Sequence, residues 1–346
     1  MRKRNIRGLS LLAVILLGLA LALATAGTSA AQDAAEFYRG KTIKWVVAAG
    51  RPGTSTDLLT RLLAPFLAKE LGAKVSLQNM GSDEGINYAY DRVKPDGLTL
   101  VVKDTNSLKL NDLLDAPGSV YEMEKYNWIA DVLPQKNLFG VSAKLPYRTI
   151  DELRKAKGLK SGGTSARGNM AVTPTIMFEI LGIDGKVITG YKGRKGLALA
   201  LGRGEVDLIA GVSETSAYAD QRDGFAVYLF TLGNKRSQLF KDLPSLSELG
   251  VAIPAELEDA YSVVTGTGKA VATTPGVPEE RVAYLRQVFD KLGADKQVQT
   301  KLLEFAQVRD DMIPGKELQQ EMIKLKKNKA LGTQLKAILN KYRSFK

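Results

Sequence analysis

The sequence contains no cysteine and no histidine among its 346 residues. Without cysteine, no disulfide, thiolate metal site or cysteine nucleophile can form. Without histidine, neither a Ser-His-Asp triad nor an imidazole metal ligand is available, and the commonest general base of enzymes is missing. What remains for catalysis is lysine, tyrosine, serine or carboxylate chemistry. The sequence predicts no catalytic residue, no metal site and no cofactor.

Long hydrophobic runs are absent after the first thirty residues. No run in that later part of the chain approaches the ~18 apolar residues of a membrane-spanning helix. Residues 1–31 differ from the rest. The basic start Met1–Arg7 precedes the apolar stretch Gly8–Ala24, which is followed by small residues. This order is typical of a secretory signal peptide cleaved after Ala30 or Ala31, and it predicts a periplasmic protein. An uncleaved membrane anchor is the alternative.

The charge is unbalanced toward basic residues, with 49 Lys and Arg against 37 Asp and Glu and a net charge of +12. Part of the excess lies in the predicted signal peptide, and much of the remainder lies in the last thirty residues. No basic groove interleaved with aromatic residues is present, so no nucleic-acid partner is predicted. The pattern favours a solvated basic helix over a face that binds anionic lipid.

Short apolar strands alternate with amphipathic helices along the chain. Ile43–Ala48 reads as a buried strand, Asp57–Leu71 as a helix and Lys74–Gln78 as a second strand, and a similar series begins at Trp128. Such alternation predicts an α/β protein with mainly parallel sheets in two lobes. In open α/β sheets, ligands bind beyond the carboxyl ends of the strands, so the loops from strand to helix are the candidate binding segments.

The first candidate loop, Ala49–Asp57, leaves a buried strand and enters a helix. Gly50 and Gly53 permit unusual backbone angles, and three consecutive hydroxyl residues follow. The free N–H groups of the helix start would attract an anion. The alternative is a solvated turn in which Thr56 or Asp57 caps the helix.

The second candidate loop, Ser161–Asn169, has the same glycine-rich, hydroxyl-rich composition and also precedes a helix. Arg51 and Arg167 would each offer a guanidinium to a carboxylate, although both also fit an exposed surface position. Tyr191 follows a predicted strand, and its side chain would either line a pocket or pack in the core.

Two further glycine-rich segments are less favourable for anions. The loop Asn79–Gly85 carries two acidic residues, which fit a helix start better than an anion site. The segment Gly266–Lys269 looks like part of a phosphate-binding loop, but its spacing is wrong and Ala270 stands where a Ser or Thr is needed.

Several segments together resemble the substrate-binding proteins of tripartite tricarboxylate transporters, the Bug-type receptors. These segments occur in the same order as in that family, and they extend over nearly the whole chain after residue 36. The matching segments are Phe37–Ile43, Pro52–Gly53, Asp57–Leu59, Arg61–Leu63, Gln78–Met80, Lys94–Gly97, Gly190–Gly193, Gly204–Asp207, Leu243–Gly250 and Thr274–Pro278.

This resemblance implies a type II periplasmic-binding-protein-like α/β fold, in which two α/β lobes with a ligand cleft are joined by crossover hinge strands. After the signal peptide of residues 1–31, the first lobe would comprise residues 36–134 and 245–346, and the second lobe residues 135–244. In the family, backbone N–H groups, hydroxyls and bridging waters hold a carboxylate between the lobes.

Carried onto this sequence, two opposed segments would hold the ligand. The predicted ligand-binding residues are Arg51, Pro52, Gly53, Thr54, Ser55, Thr56 and Asp57 in the first lobe, and Gly163, Thr164, Ser165, Asn169 and Tyr191 in the second. The loop Gly81–Gly85 departs from the glycine-rich pattern of the family, which puts the identity of the ligand in doubt more than the fold.

The function that the resemblance implies is capture of a small organic anion, such as a di- or tricarboxylate, and its delivery to membrane permease subunits by a monomeric receptor. A periplasmic sensor or interaction protein of the same fold is one alternative. An exported enzyme acting on a carboxylate is another, with Lys192, or Lys103 with Asp104, in catalytic roles, but no spacing pairs these residues.

Overall fold

The computed structural model describes residues 32–308 and 310–344. The predicted signal peptide lies outside these residues. Within the described ranges, every helix is too short or too polar to cross a membrane.

The described chain alternates strands and helices throughout. The strands are β1 (Thr42–Ala48), β2 (Lys74–Met80), β3 (Thr99–Asp104), β4 (Asn127–Asp131), β5 (Gln135–Ser142), β6 (Leu159–Gly163), β7 (Gly185–Thr189), β8 (Leu208–Ser213), β9 (Ala226–Thr231), β10 (Gly266–Thr267), β11 (Lys269–Thr273), β12 (Ile313–Pro314) and β13 (Arg343–Ser344). The helices are α1 (32–38), α2 (Ser55–Leu71), α3 (Ser82–Asp91), α4 (Thr105–Leu113), α5 (Ile150–Lys155), α6 (Asn169–Leu181), α7 (Gly193–Arg203), α8 (Glu214–Arg222), α9 (Glu258–Val264), α10 (Glu279–Ala294), α11 (Lys296–Ala306), α12 (Gly315–Lys327) and α13 (Leu331–Tyr342).

The strands form two sheets, each of which defines one lobe. The first sheet has the order β12-β4-β11-β3-β1-β2, and the second has the order β10-β5-β8-β6-β7-β13 with β9 paired to β5. The predicted lobe boundaries stay predictions. Within the region 245–346, the two short strands β10 and β13 belong to the second sheet.

Both sheets are mixed, so the prediction of mainly parallel sheets is wrong. β11 runs antiparallel to both β3 and β4, and β5 runs antiparallel to both β8 and β9. The reason is that β5 and β11 belong to the two segments that cross between the lobes. Each enters its sheet from the other lobe instead of through a helical crossover.

Two neighbouring segments cross between the lobes at one place, which is called the hinge wall below. Residues 132–134 connect β4 to β5, and Gly268 alone separates β10 from β11. A third connection lies at the other edge of the second sheet, where β13 pairs with β7 after α12 and α13.

Apolar residues fill the space between sheets and helices. In the first lobe, Trp45 of β1 packs edge-on against Phe289 of α10, with ring centroids 5.9 Å apart, and both side chains are fully buried. In the second lobe, Phe139 stacks on Phe230 at 4.9 Å. These contacts fix β1, whose carboxyl end leads to α2, and β5, which begins at Gln135 beside the candidate site.

Candidate functional site

A cavity of about 210 Å³ lies between the lobes against the hinge wall. The first lobe contributes Ser55 at the start of α2, and the second lobe contributes Ser213, Thr215 and Ser216 around the start of α8. Both lobes therefore bring a helix N-terminus and hydroxyl groups to one cavity.

The hinge wall supplies the floor of the cavity. Gln135 of β5, Thr267 of β10 and Lys269 of β11 line it, and Leu133 with Phe305 adds apolar surface. The floor therefore combines polar groups, which would orient a ligand, with apolar contacts, which would bury it.

The start of α2 is held in place by its own residues. Thr54 is the N-cap, and its hydroxyl accepts a hydrogen bond from the Asp57 backbone N–H at 3.3 Å. The helix thus begins at Ser55, two residues before the predicted start at Asp57. Ser55 is exposed to the cavity because the cap precedes it.

Asp57 has a structural role in this loop. Its side chain is 1% exposed and accepts hydrogen bonds from the Gly53 N–H at 2.8 Å, the Asn79 amide at 2.9 Å and the Arg61 guanidinium at 3.0 Å. The Arg61 hydrogen bond is the largest cause that lowers the pKa of Asp57 from 3.8 to about 2. Asp57 therefore stabilises the turn at Gly53 through the hydrogen bond that it accepts from the Gly53 N–H.

Replacing Asp57 with asparagine is expected to destabilise the protein by about 1–2 kcal/mol at pH 7, because the charge-assisted hydrogen bonds weaken. The folded-state pKa is lowered, so this stabilisation is present above pH 3.8 and is lost as the pH falls toward 2. Urea unfolding of both proteins at pH 7, 5 and 3 measures the difference. Asp290→Asn, at an exposed position, is the control. A difference that stays constant over this range would contradict the role of the Asp57 charge.

The start of α8 is anchored by a buried acid. The Glu214 carboxylate is fully buried and accepts hydrogen bonds from the backbone N–H groups of Lys136 at 3.1 Å and Gln238 at 3.2 Å. Thr215, the next residue, donates its hydroxyl to the Ala306 carbonyl in the first lobe at 2.7 Å. Glu214 thus fixes the helix, while its neighbours face the cavity and the opposite lobe.

One acid and one base, Asp104 and Lys269, line the cavity among the residues described for it. They form an ion pair of 3.1 Å, and Thr267 donates its hydroxyl to the same Asp104 oxygen at 3.2 Å. Burial raises the pKa of Asp104, but the Lys269 charge and hydrogen bonds from Ser107 and Lys269 outweigh it, so that the pKa lies below its ordinary value.

The predicted second-lobe residues lie beside this cavity without lining it. Gly163 ends β6, and its carbonyl accepts the Gly190 N–H at 3.1 Å. Thr164 is half-buried and Ser165 is exposed in the loop before α6. Tyr191 packs partly buried against Gly162 and Leu197. None of these four residues is part of the cavity lining.

Asn169, the first residue of α6, links the loop between β6 and α6 to the first lobe. Its side-chain oxygen accepts a hydrogen bond from the Asn106 amide of α4 at 2.9 Å, and its amide donates to the Gly211 carbonyl at 2.7 Å. Gly211 precedes Ser213 of the cavity by two residues. Asn169 is thus the predicted second-lobe residue that the structure ties most directly to the cavity and to the opposite lobe.

The remaining predicted first-lobe residues surround Ser55. Arg51, Pro52 and Gly53 are exposed, whereas Thr56 is buried. Gly53 has φ +84°, which a residue with a side chain rarely adopts. Of the twelve predicted residues, Ser55 is the one that lines the cavity.

Sequence reasoning missed the cavity residues of α8 and of the hinge wall. Gly211–Ser216 is another strand-to-helix junction and contains one glycine and three hydroxyl residues, so its composition was a usable signal. The segment Gly266–Lys269, rejected as a phosphate-binding loop, is the second crossover. No group of three or more acidic residues arranged to hold a metal ion occurs in the described part of the chain.

Comparison with known proteins finds two curated relatives that are similar to most of the chain. It is 29% identical over 255 residues to the "UPF0065 protein in gbd 5'region" of Cupriavidus necator, which covers 68% of this chain and 73% of that protein. It is 28% identical over 246 residues to protein BugT of Bordetella pertussis, covering 66% and 71%. The predicted resemblance to the Bug-type receptors is confirmed. No family model matches the chain.

Solved structures show the same fold. A TctC solute binding protein from Polaromonas superposes with a TM-score of 0.70 at 21% identity, covering 87% of this chain and 98% of that one. MatC from Rhodopseudomonas palustris with bound malate gives 0.61 at 19% identity, covering 86% and 99%. An R. palustris protein solved with adipate gives 0.64 at 18% identity, covering 87% and 97%.

The predicted two-lobed periplasmic-binding-protein fold is therefore confirmed. Two of the structural neighbours, the TctC protein and BugD, are named as binding proteins.

Proposed function

We propose that this Bug-like chain is a periplasmic solute-binding protein that holds a small carboxylate in the cavity at the hinge wall. The observation that carries the proposal is the meeting of two helix N-termini, α2 with Ser55 and α8 with Ser216, at one cavity between the lobes. Each N-terminus presents unpaired N–H groups and the positive end of a helix dipole, which attract an anion.

The choice of a carboxylate rests on size and on the neighbours. A cavity of about 210 Å³ suits a small acid and excludes polymers or large cofactors. Two solved proteins of the same fold hold malate and adipate, which are both dicarboxylates. Hydroxyl and N–H donors recognise a carboxylate without needing several charged side chains.

Ligand capture would couple to closure because the donors come from both lobes. A ligand that contacts Ser55 and Ser216 together gains more free energy when the lobes are closed than when they are open. Direct contacts between lobes, such as Thr215 with Ala306 and Asn106 with Asn169, would add to the closed form.

We also propose that the ligand contacts the loop Gly163–Asn169 and Tyr191. The support is that Asn169 bonds the Gly211 carbonyl, two residues before Ser213 of the cavity. Arg51 is likewise proposed as a contact at the rim. Delivery to membrane permease subunits is the remaining step, with the closed form as the surface that they recognise.

Ser55→Ala and Ser216→Ala are each expected to weaken carboxylate binding about five- to tenfold, since each removes one hydrogen bond worth about 1 kcal/mol. The melting temperature without ligand should change little, because Thr54 rather than Ser55 caps α2. Calorimetric titration of the purified protein with malate, succinate, glutarate, adipate and citrate measures the affinities. Thermal shifts provide the screen.

Thr300→Ala is the matched control, because its hydroxyl lies on the exposed side of α11 and bonds only the Lys296 carbonyl within the helix. Thr164→Ala tests the proposed loop contact in the same titrations. Equal affinities for wild type, Ser55→Ala and Ser216→Ala would remove the cavity from consideration as the ligand site. The absence of binding to any of the acids would refute the proposed function.

A further inference from the structure

The end of α11 in the first lobe meets the start of α8 in the second lobe. Ala306 is the last residue of α11, so its carbonyl has no acceptor role within the helix. The Thr215 hydroxyl donates to this carbonyl at 2.7 Å. Four residues further along the chain, Asp310 makes a second contact between the lobes.

Asp310 belongs to a ring of four polar residues, which is called the clasp below: Lys136, Glu214, Gln238 and Asp310. The Asp310 carboxylate accepts hydrogen bonds from the Lys136 ammonium at 2.5 Å and from the Gln238 side-chain amide at 3.1 Å. The Glu214 carboxylate accepts the backbone N–H groups of the same two residues. Asp310 precedes β12 of the first sheet, whereas its three partners lie on or beside strands of the second sheet.

The charges of the clasp are largely shielded from water. The Lys136 side chain is 12% exposed and that of Asp310 is 26% exposed, whereas the Glu214 side chain is fully buried with its carboxylate 3.9 Å from the Lys136 ammonium. A shielded ion pair is stronger than one at the surface, because less water screens it. Separation of the lobes at this point would break the ion pair and the Gln238 hydrogen bond together.

The clasp lies beside the ligand cavity without lining it. Lys136, Gln238 and Asp310 instead line a second cavity of about 360 Å³. Glu214, however, is followed at once by Thr215 and Ser216 of the ligand cavity. A substitution at Asp310 therefore removes no contact with a ligand in that cavity, and its effect on the ligand passes through the position of α8.

We infer that Asp310 is a positioning residue: through the clasp it holds the start of α8 against the first lobe. It thereby favours the conformation in which both lobes line one cavity. A ligand then binds more tightly, because less of its binding free energy is used to bring the lobes together. This inference rests on the proposed function and describes how the affinity of the same cavity is set.

The variant that tests the clasp is Asp310→Asn. Asparagine has one side-chain oxygen and one NH₂ group, so it cannot accept from Lys136 and Gln238 as the two carboxylate oxygens do. It also removes the charge that pairs with the Lys136 ammonium. Asp311→Asn, which changes the exposed neighbouring acid in the same way, is the matched control.

Spin labels on the two lobes test the inference without any ligand. Because the chain has no cysteine, Lys69→Cys on α2 and Lys195→Cys on α7 give one label in each lobe at exposed positions. In double electron–electron resonance, Asp310→Asn should lose part of the population at the distance found for the labelled parent. Asp311→Asn should keep the distance distribution of the parent. A distribution in Asp310→Asn identical to that of the parent would overturn the inference.

Calorimetric titration with malate, succinate, glutarate, adipate and citrate gives the second measurement. Asp310→Asn should bind the preferred acid at least about fivefold more weakly than the wild type, and Asp311→Asn should bind it equally well. Gln238→Ala keeps the backbone N–H that bonds Glu214, so it serves if Asp310→Asn does not fold, and it should weaken binding about two- to fivefold. Unchanged affinity in these two clasp variants would contradict the inference.

The double variant Asp310→Asn/Gln238→Ala separates the clasp from two unrelated effects. Both substitutions remove the same contact, so the combined loss of affinity should be smaller than the product of the two single fold-changes. A loss equal to that product would contradict a shared role. If the wild type binds none of the acids, the proposed function fails, and the distances between the labels decide whether the clasp holds the lobes.

Discussion

Gly268→Ala is expected to destabilise the protein by at least about 3 kcal/mol or to prevent folding. A Cβ at this position would overlap all three heavy atoms of the Asp131 carboxyl group. Asp131 is 2% exposed and holds three hydrogen-bond donors, so its carboxylate cannot move aside without losing them. Urea unfolding at pH 7 measures the loss.

Gly196→Ala is the matched control for this substitution. Gly196 lies within α7, and a Cβ there would meet only the Lys192 side chain at 3.8 Å. Alanine is the better helix former, so the control should be neutral or stabilised by up to about 1 kcal/mol. A Gly268→Ala variant as stable as the wild type would show that the hinge wall is less closely packed than described.

Asp131→Ala is expected to destabilise the protein by a similar amount, at least about 3 kcal/mol. Burial raises the pKa of Asp131, while the hydrogen bonds from Thr105, Lys269 and Leu133 favour the charged form. Removing the carboxylate leaves these three donors at the buried hinge without an acceptor. Urea unfolding again measures the change. Asp290→Ala, on the exposed face of α10, should differ from the wild type by less than about 0.5 kcal/mol.

The double variant Gly268→Ala/Asp131→Ala tests whether the two effects share one cause. The alanine at position 131 lacks the carboxyl atoms that the new methyl group would overlap. The combined loss of stability should therefore be clearly smaller than the sum of the two single losses. Strict additivity would mean that Gly268 is required for a reason other than the Asp131 carboxylate.

The parts of the fold that the sequence predicted are those with a strong local pattern. The buried strand β1 and the helix α2 have apolar residues at the spacing of a strand and of a helix face, and both occur close to their predicted positions. The observed start of α2 lies two residues before the predicted one, because Thr54, one of three adjacent hydroxyl residues, is the N-cap. Composition alone does not decide among such neighbours.

The elements that the sequence did not predict have weak local patterns and distant partners. The helices α4 and α8 are polar along most of their length, so no apolar stripe marks them. The strand β10 has two residues and pairs with β5, whose partner residues lie some 130 positions earlier in the chain. Pairing over such distances depends on the tertiary fold, which no local window contains.

The candidate site reflects the same limit. The sequence singled out Ser55 because the β1–α2 loop carries its glycine and hydroxyl signals locally, and Ser55 does line the cavity. Asp104 and Lys269 are 165 positions apart, and they meet only because β3 and β11 pair in the first sheet. Their ion pair therefore had no sequence signature.

The pairing of β13 with β7 has a mechanical consequence. The crossover at β10 and β5 attaches the second sheet at one edge, and β13 attaches it at the opposite edge. Because the second sheet is attached at two separated points, it rotates more easily about the line that joins them than about any other direction. Together with the crossover at β10 and β5, the attachment by β13 thus defines an axis about which the second lobe would rotate during closure.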